Sequence, residues 1–486
     1  MKMKLNYKRT ILVGFAFFLI SAFWSAYDAI IPLALTNHYG LSQGVSGIIM
    51  SLDNILAVFM LPIFGAISDK ISTRYGKRTP FVFIGTILAV ISFITLTAID
   101  NAQLARVVEA GIPELRAEAE ALLAEGIKLD NQAMINAANI QLEAITKDVA
   151  AITGQNPASI IGFISMLLVL LISMATFRSP AVALMPDVTI KPLRSKGNAI
   201  INLMGTAGGI IVLIFGVVFA TSKNLYMQYT GYVLAVAGVM LFGLVTFILT
   251  VKEKKWAEEM EAETERLGLN KPEGEEEVTD MRKLSKPELN SLILILVSVA
   301  LWYIGYNAIT SKYSVYATEV LKFDYNITLI IAQAAAIVSY IPVGIIASKI
   351  GRRKTILAGV LMLASAFLIG HFITPSTPEL VMYPVFILAG IGWATINVNS
   401  FPMVVELAKG GDIGKYTGYY YTASMAAQIV APILSGFLYD LIGMRTVFFL
   451  FGTIFVMFSF VTMFFVKHGD SKPIEKKDLL EQLDVD

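Results

Sequence analysis

Residues 46–78 read SGIIMSLDNILAVFMLPIFGAISDKISTRYGKR. The first part is an apolar run of membrane length, since about 20 residues at 1.5 Å each cross a hydrocarbon core about 30 Å thick. It ends abruptly, and Asp69, Lys70, Arg74, Lys77 and Arg78 follow. Inside the run stands one acid, Asp53, with Asn54 beside it. A charge within a bilayer costs roughly 3 kcal/mol on insertion scales unless it faces a partner or a wet cavity. The stretch predicts a lipid-spanning helix that shows one polar position to an interior.

The same pattern recurs outward along the chain. Apolar runs at 10–36, 44–68, 79–99, 158–186, 197–221, 229–251, 290–318, 326–348, 353–373, 380–403, 415–439 and 444–467 predict an all-α multi-pass membrane protein with twelve spans. Barrel strands would be about half as long. Composition agrees, with 56% hydrophobic and 15% charged residues, against about 25% charged in a soluble domain. The first run is too long for a signal-peptide core and reads as the first span. A net charge of +1 gives no footing for nucleic acid. With no cysteine, disulfides and thiolate chemistry are excluded. There is no phosphate loop, metal-ligand cluster or nucleophile triad, so neither an enzyme nor a cofactor is expected.

Lysine and arginine set the orientation. One set of short segments holds Lys2, Lys4, Lys8 and Arg9, then Lys70, Arg74, Lys77 and Arg78, then Lys191, Arg194 and Lys196, then Lys349, Arg352, Arg353 and Lys354. The opposite loops hold at most one each, such as Lys223, Lys322 or Arg445. Both termini are therefore expected in the cytoplasm, in a cell-membrane protein that contacts lipid and works as a monomer. Residues 100–157 break the rhythm on the outer side. ELRAEAEALLAEGIKL and NQAMINAANIQLEAITKDVAAI have helical periodicity, so this insertion reads as a helical hairpin able to make an extracellular contact. The expected domains are a six-helix bundle over 1–251, a charge-dense cytoplasmic linker over 252–289, a second six-helix bundle over 290–470 and a tail over 471–486.

An internal repeat supports two halves. Gly65-Ala-Ile-Ser-Asp69-Lys70 recurs as Gly344-Ile-Ile-Ala-Ser348-Lys349, and each copy is followed by a glycine and a basic pair, Gly76-Lys77-Arg78 and Gly351-Arg352-Arg353. Parallel halves of this kind are one architecture of alternating-access carriers. Gly65, Asp69, Gly76, Lys77, Arg78, Arg352 and Arg353 are the candidate gating residues. Asp69 is placed to meet a helix N-terminus or the basic loop, a polar latch that would favour one conformation.

Two further charges are stranded in apolar runs of the first half, Asp28 in span one and Arg178 in span four, and Lys312 of span seven is the comparable basic residue in the second half. A buried carboxyl can take up a proton and release it when wet or beside a cation. An arginine stays charged, but offers a planar fork of donors. Asp53 and Asp28 are therefore the candidate ion-coupling residues, and Arg178 and Asp28 the charged candidates for substrate hydroxyls. Asn202, Tyr306, Asn307, Trp393, Asn397 and Gln428 add amides and aromatic faces, which suit the hydroxyls and C–H faces of a sugar. Tyr306 and Tyr313 are expected on one helix face. His371 carries no supporting pattern.

With GAISDKISTRYGKR, GIIASKIGRR and twelve spans, the chain resembles the major facilitator superfamily. The strings SAYDAIIPLAL, SLDNILAVFMLPIFGAISDK, FRSPAVALMPD and GIGWATINVNSFPMVVEL are similar to its sucrose-transporter and glycoside–pentoside–hexuronide symporter branches. The resemblance implies uptake of a sugar or glycoside, such as maltose or sucrose, with a cation. It places the family's span-two acid on Asp53, its first-loop acid on Asp69 and its charged span-four position on Arg178. Arginine there departs from melibiose-type carriers, which favours H+ over Na+ as the coupling ion. Ser348 in place of a second acid implies an asymmetric latch. The alternatives are a carrier or exporter of a non-sugar amphiphile, and a membrane sensor that does not transport.

Overall fold

The computed structural model describes residues 5–190, 193–267, 284–407 and 413–470. The expectations for Lys2, Lys4, Lys191, the linker's centre and the tail lie outside them, as does the side chain of Ser348. Among the described residues, twelve helices are long and apolar enough to cross a membrane. In chain order the first half has α1 (Tyr7–Asn37), α2 (Gln43–Lys70), α3 (Thr79–Glu109), α4 (Ile112–Lys128), α5 (Gln132–Gln155), α6 (Pro157–Asp187), α7 (Arg194–Val218) and α8 (Thr230–Thr250). A linker helix α9 (Glu253–Arg266) follows. The second half has α10 (Lys286–Thr310), the single turn α11 (Tyr313–Val315) continued by a π turn (Tyr316–Leu321), α12 (Tyr325–Ile350), α13 (Arg352–Phe372), α14 (Met382–Val405), α15 (Ile413–Ile442) and α16 (Met444–Phe464).

Local chemistry sets the helix ends. Asn6, Ser42, Asn131 and Asp324 cap α1, α2, α5 and α12 with side-chain acceptors, and Ser285 with Glu288 forms a capping box on α10. With no water in the bilayer core, each helix must satisfy its own backbone. Tight crossings then depend on small residues. A Cβ at Gly208 of α7 would lie 3.1 Å from the Phe18 ring of α1, and one at Gly205 would lie 2.9 Å from Ser21 Oγ.

Two expected boundaries move. The third span continues to Glu109, so the insertion begins near 110 rather than 100. Asp100, which reads as a loop residue, is only 3% exposed and pairs with fully buried His38 at 2.9 Å. The His38 Nε2 lies 3.1 Å from the Leu225 carbonyl. This buried pair lets a charged residue remain inside the helix. The seventh span stops at Thr310 rather than 318. Ser311 and Lys312 turn the chain, so Tyr306 and Tyr313 do not share one helix. Tyr313 is buried against Phe386, with its hydroxyl 2.8 Å from Thr328 Oγ1.

The spans alternate in direction, so the helix ends gather at two faces. The hairpin face carries α4 and α5, and the terminal face carries the start of α1, the end of α16 and α9. The halves meet closely at the hairpin face. A Cβ at Gly47 of α2 would collide with the Pro432 carbonyl of α15, and one at Gly436 with the Gln43 carbonyl. Asp440 of α15 accepts from the Gln43 and Gly44 amides at 2.7 Å each, at the start of α2. A Cβ at Gly216 of α7 would strike the Asn326 amide of α12.

Candidate functional site

Between the halves, α1, α2 and α6 bring the three stranded charges into one region. Asp28 is exposed although its neighbours Ala26, Tyr27, Ala29 and Ile30 are buried. Its backbone carbonyl accepts from Ser314 Oγ of the second half at 3.2 Å. An accessible carboxylate amid buried helix neighbours marks an internal polar cavity. Asp53 and Arg178 are both half-buried. Asp53 accepts from the Asn54 amide at 2.8 Å. Arg178 makes no ion pair among the described residues. Its guanidinium instead lies over the Trp24 ring, 5.5 Å from the centroid. Asp53 still acts electrostatically on both Asp28 and Arg178. Beside them the Trp24 indole N–H and the Tyr27 hydroxyl are buried without a hydrogen-bond partner. Such groups cost free energy until a ligand or water meets them.

The second half supplies an aromatic wall. Tyr306 of α10 stacks on Trp393 of α14 with centroids 3.6 Å apart and planes at 4°, and Tyr303 meets the same indole edge-on at 5.3 Å. Tyr306 lies in the field of Asp28, which places this wall near the acids of the first half. The amides differ in what they offer. Asn307 donates to its own helix at Tyr303 O over 2.8 Å, and Gln428 to Ser424 O over 3.3 Å, so each keeps its carbonyl oxygen and one N–H for a ligand. Asn397 is half-buried with no side-chain partner among the described residues. Asn202 is half-buried on α7. Asn399, two residues beyond Asn397, is 2% exposed and donates to Thr395 O.

The expected gating residues form two clusters at the terminal face, each within one half. Arg78, which opens α3, reaches Asp69 of α2 at 2.5 Å and Asp187 of α6 at 2.7 Å. Burial pulls the guanidinium's pKa down, but the hydrogen bond and charge of Asp187, then those of Asp69, outweigh it and raise the value. Sequence reasoning missed Glu253, the first residue of α9. It is 3% exposed and accepts from the amides of Lys77 (2.6 Å), Arg78 (2.8 Å) and Thr79 (2.7 Å). A carboxylate here meets the unpaired donors and positive end of α3. Gly76 has φ +122°, and a Cβ there would run into the Glu253 carboxylate. Lys77 itself points its side chain to solvent. A Cβ at Gly65 would lie 2.9 Å from Ser179 Oγ, so this glycine sets the α2–α6 approach. In the second half Arg352 pairs with Glu406, and the Arg353 amide donates to Asp470 at 2.8 Å. The repeated motif thus recruits different acids in each half.

Lys312 at the hairpin face was visible as a charge but not as a contact. It is fully buried, and its ammonium donates to Ser46 Oγ of the first half at 2.5 Å. No carboxylate lies within ion-pair distance of it among the described residues.

The fold and these sites have known counterparts. The MFS/sugar transport protein profile matches residues 12–109, and the Major Facilitator Superfamily profile matches 149–424 and 325–483. An MFS-type transporter, ppzB, from Metarhizium rileyi (strain RCEF 4871) is 28% identical over 125 residues. That alignment spans 26% of this chain and 25% of the relative. Among solved structures, an inward-open xylose transporter XylE from E. coli superposes with a TM-score of 0.62 at 12% identity, covering 98% of this chain and 99% of that one. A mutant of the nucleoside transporter NupG gives 0.57 at 14% identity, over 94% and 98%. A POT family transporter in complex with a thioalcohol-conjugated peptide gives 0.63 at 13%, over 94% and 96%. At these identities the likeness is one of fold. With the profile covering more than half of its length, this chain belongs to the major facilitator superfamily, as a multi-pass membrane transporter rather than an enzyme.

Proposed function

We propose that the chain imports a sugar or glycoside of about disaccharide size by proton-coupled symport with alternating access. The observation that carries this reading is the accessible Asp28 carboxylate, set in the field of Asp53 and near the Tyr306–Trp393 wall. A hydroxyl-rich ligand with C–H faces suits both sides of such a cavity. Arg178 and the Trp24 N–H offer donors to hydroxyls, and Asp28 with the Asn307, Asn397 and Gln428 carbonyls offers acceptors. Asn202 adds an amide from α7. Asp53 or Asp28 takes the proton, because an arginine stays charged and carries none. Proton and substrate then relieve each other's unpaired groups, which couples their binding.

The profile match to sugar transport over 12–109 supports the substrate class. The basic loops support a cytoplasmic terminal face in a cell membrane, which makes the hairpin extracellular and this conformation open to the cytoplasm. Residues 1–251 and 290–470 are the two moving halves, with 252–289 between them and 471–486 as the tail. The clusters around Asp69, Arg78 and Glu253, and around Arg352, Glu406 and Arg353, brace the cytoplasmic ends of the halves.

Uptake by proteoliposomes of a labelled sugar panel, under proton and sodium gradients imposed separately, tests the proposal. Proton-driven accumulation of a disaccharide is the expected result, and no sugar flux under either gradient sinks it. Asp53→Asn should abolish accumulation while leaving exchange at equilibrium. Uphill transport by that variant would remove Asp53 from proton coupling.

A further inference from the structure

The inserted hairpin is fastened to the first half. Thr153 of α5 donates to the Tyr39 carbonyl at 3.0 Å and accepts from Gln103 of α3 at 2.9 Å. Gly40 has φ +65°, and a Cβ there would sit 3.0 Å from the Ala150 Cα. From this base α4 reaches the second half. Arg116, 14% exposed, is 3.0 Å from Glu120 on its own helix, 3.0 Å from Asn37 Oδ1 at the end of α1 and 3.5 Å from Glu319 in the π turn. Its guanidinium also lies 6.0 Å from the Tyr226 ring centroid. Asn37 in turn donates to Glu319 at 2.9 Å. Lys322, which ends the π turn, donates to Glu120 at 2.8 Å. Glu319 and Lys322 belong to the second half, and the other members to the first. Arg116 and Glu120 therefore cross the seam with opposite charges, each facing its complement.

We propose that the hairpin is an electrostatic latch, which holds the two halves together at its own face. This rests on the alternating-access reading. Opening that face carries Glu319 and Lys322 away from α4 and breaks both charge pairs. A cavity of about 480 Å³, lined by Arg116, Glu120, Tyr226, Lys322, Asp324 and Glu379, adjoins the seam. It admits water and ions to the pairs, so salt screens them. The latch biases the empty carrier toward the state whose site faces away from the hairpin.

The chain has no cysteine, so paired labels can be introduced without background. Glu109→Cys at the end of α3 and Leu380→Cys before α14 are both exposed and belong to different halves. Electron–electron distances between spin labels there, in proteoliposomes without substrate, report opening of the hairpin face. Arg116→Ala should raise the ratio of long to short distance about fivefold, equal to about 1 kcal/mol. Raising KCl from about 20 to about 500 mM should raise the ratio in the parent, and less in the variant, which keeps only the Lys322–Glu120 pair. Lys322→Gln, at a side chain 44% exposed, breaks the pair with Glu120 and leaves Arg116 with Glu319. It serves should Arg116→Ala fail to fold. An unchanged ratio in a folded variant overturns the latch while leaving two populations, and hence alternating access, in place. A single fixed distance under every condition removes alternating access and the latch together.

Discussion

Arg178 is a charge with no counter-ion in contact among the described residues. A guanidinium shielded from water is well served by a bidentate carboxylate, yet this half-buried one lies over Trp24 and shares only the field of Asp53. Its donors are held ready without being consumed. Lysine would keep the charge and lose the planar face that stacks on the indole. Arg178→Lys should therefore weaken sugar binding at least tenfold, about 1.4 kcal/mol or more, with thermal stability nearly unchanged. Isothermal titration with a sugar that the proteoliposome panel identifies measures it, and wild-type affinity would show that stacking is irrelevant. The charges Asp28, Asp53 and Arg178 were legible because a bilayer makes any charge conspicuous. Glu253 and the His38–Asp100 pair were not, since their burial depends on contacts made far along the chain.

At the scale of helices, α2 and α15 form the tightest meeting of the halves. Gly47 and Gly436 each lie against a backbone carbonyl of the other helix. The seal there is backbone on backbone, with no flexible side chain to yield. Gly47→Val should hold the halves apart at the hairpin face, and accumulation should fall by more than tenfold while expression persists. Uptake assays alongside the label distances check it, and normal accumulation would mean that the crossing gives way cheaply. Hydropathy and periodicity made the twelve spans readable. The end of α3 and the break after α10 were harder to read, because Asp100 hides inside a helix and Lys312 inside a turn. Both are polar residues whose partners lie in other elements.

For the whole molecule, the latch makes the balance of conformations respond to the solution on the hairpin side. Partial burial raises the Glu120 pKa, but the hydrogen bond and charge of Lys322, then those of Arg116, outweigh it and hold the carboxyl below its usual range. A lowered acid contributes its pairing above its unperturbed pKa, about 4.3 for glutamate, and loses it as pH falls through the folded value. Acid on the hairpin side should thus raise the population open at that face, and Glu120→Gln should flatten the response. The same label distances at about pH 7 and about pH 3.5 measure it, and a pH-independent population would count against the pairing.

Lys312 acts in the opposite sense. Closing the hairpin face removes an ammonium from water and leaves it one hydroxyl for company, at a cost no neutral residue would incur. The closed state therefore carries a built-in grievance alongside its fastenings. A machine that must cycle cannot rest in a deep well, because every extra 1.4 kcal/mol of depth slows escape about tenfold. A buried ammonium with a single hydroxyl partner makes that well shallower than its fastenings alone would.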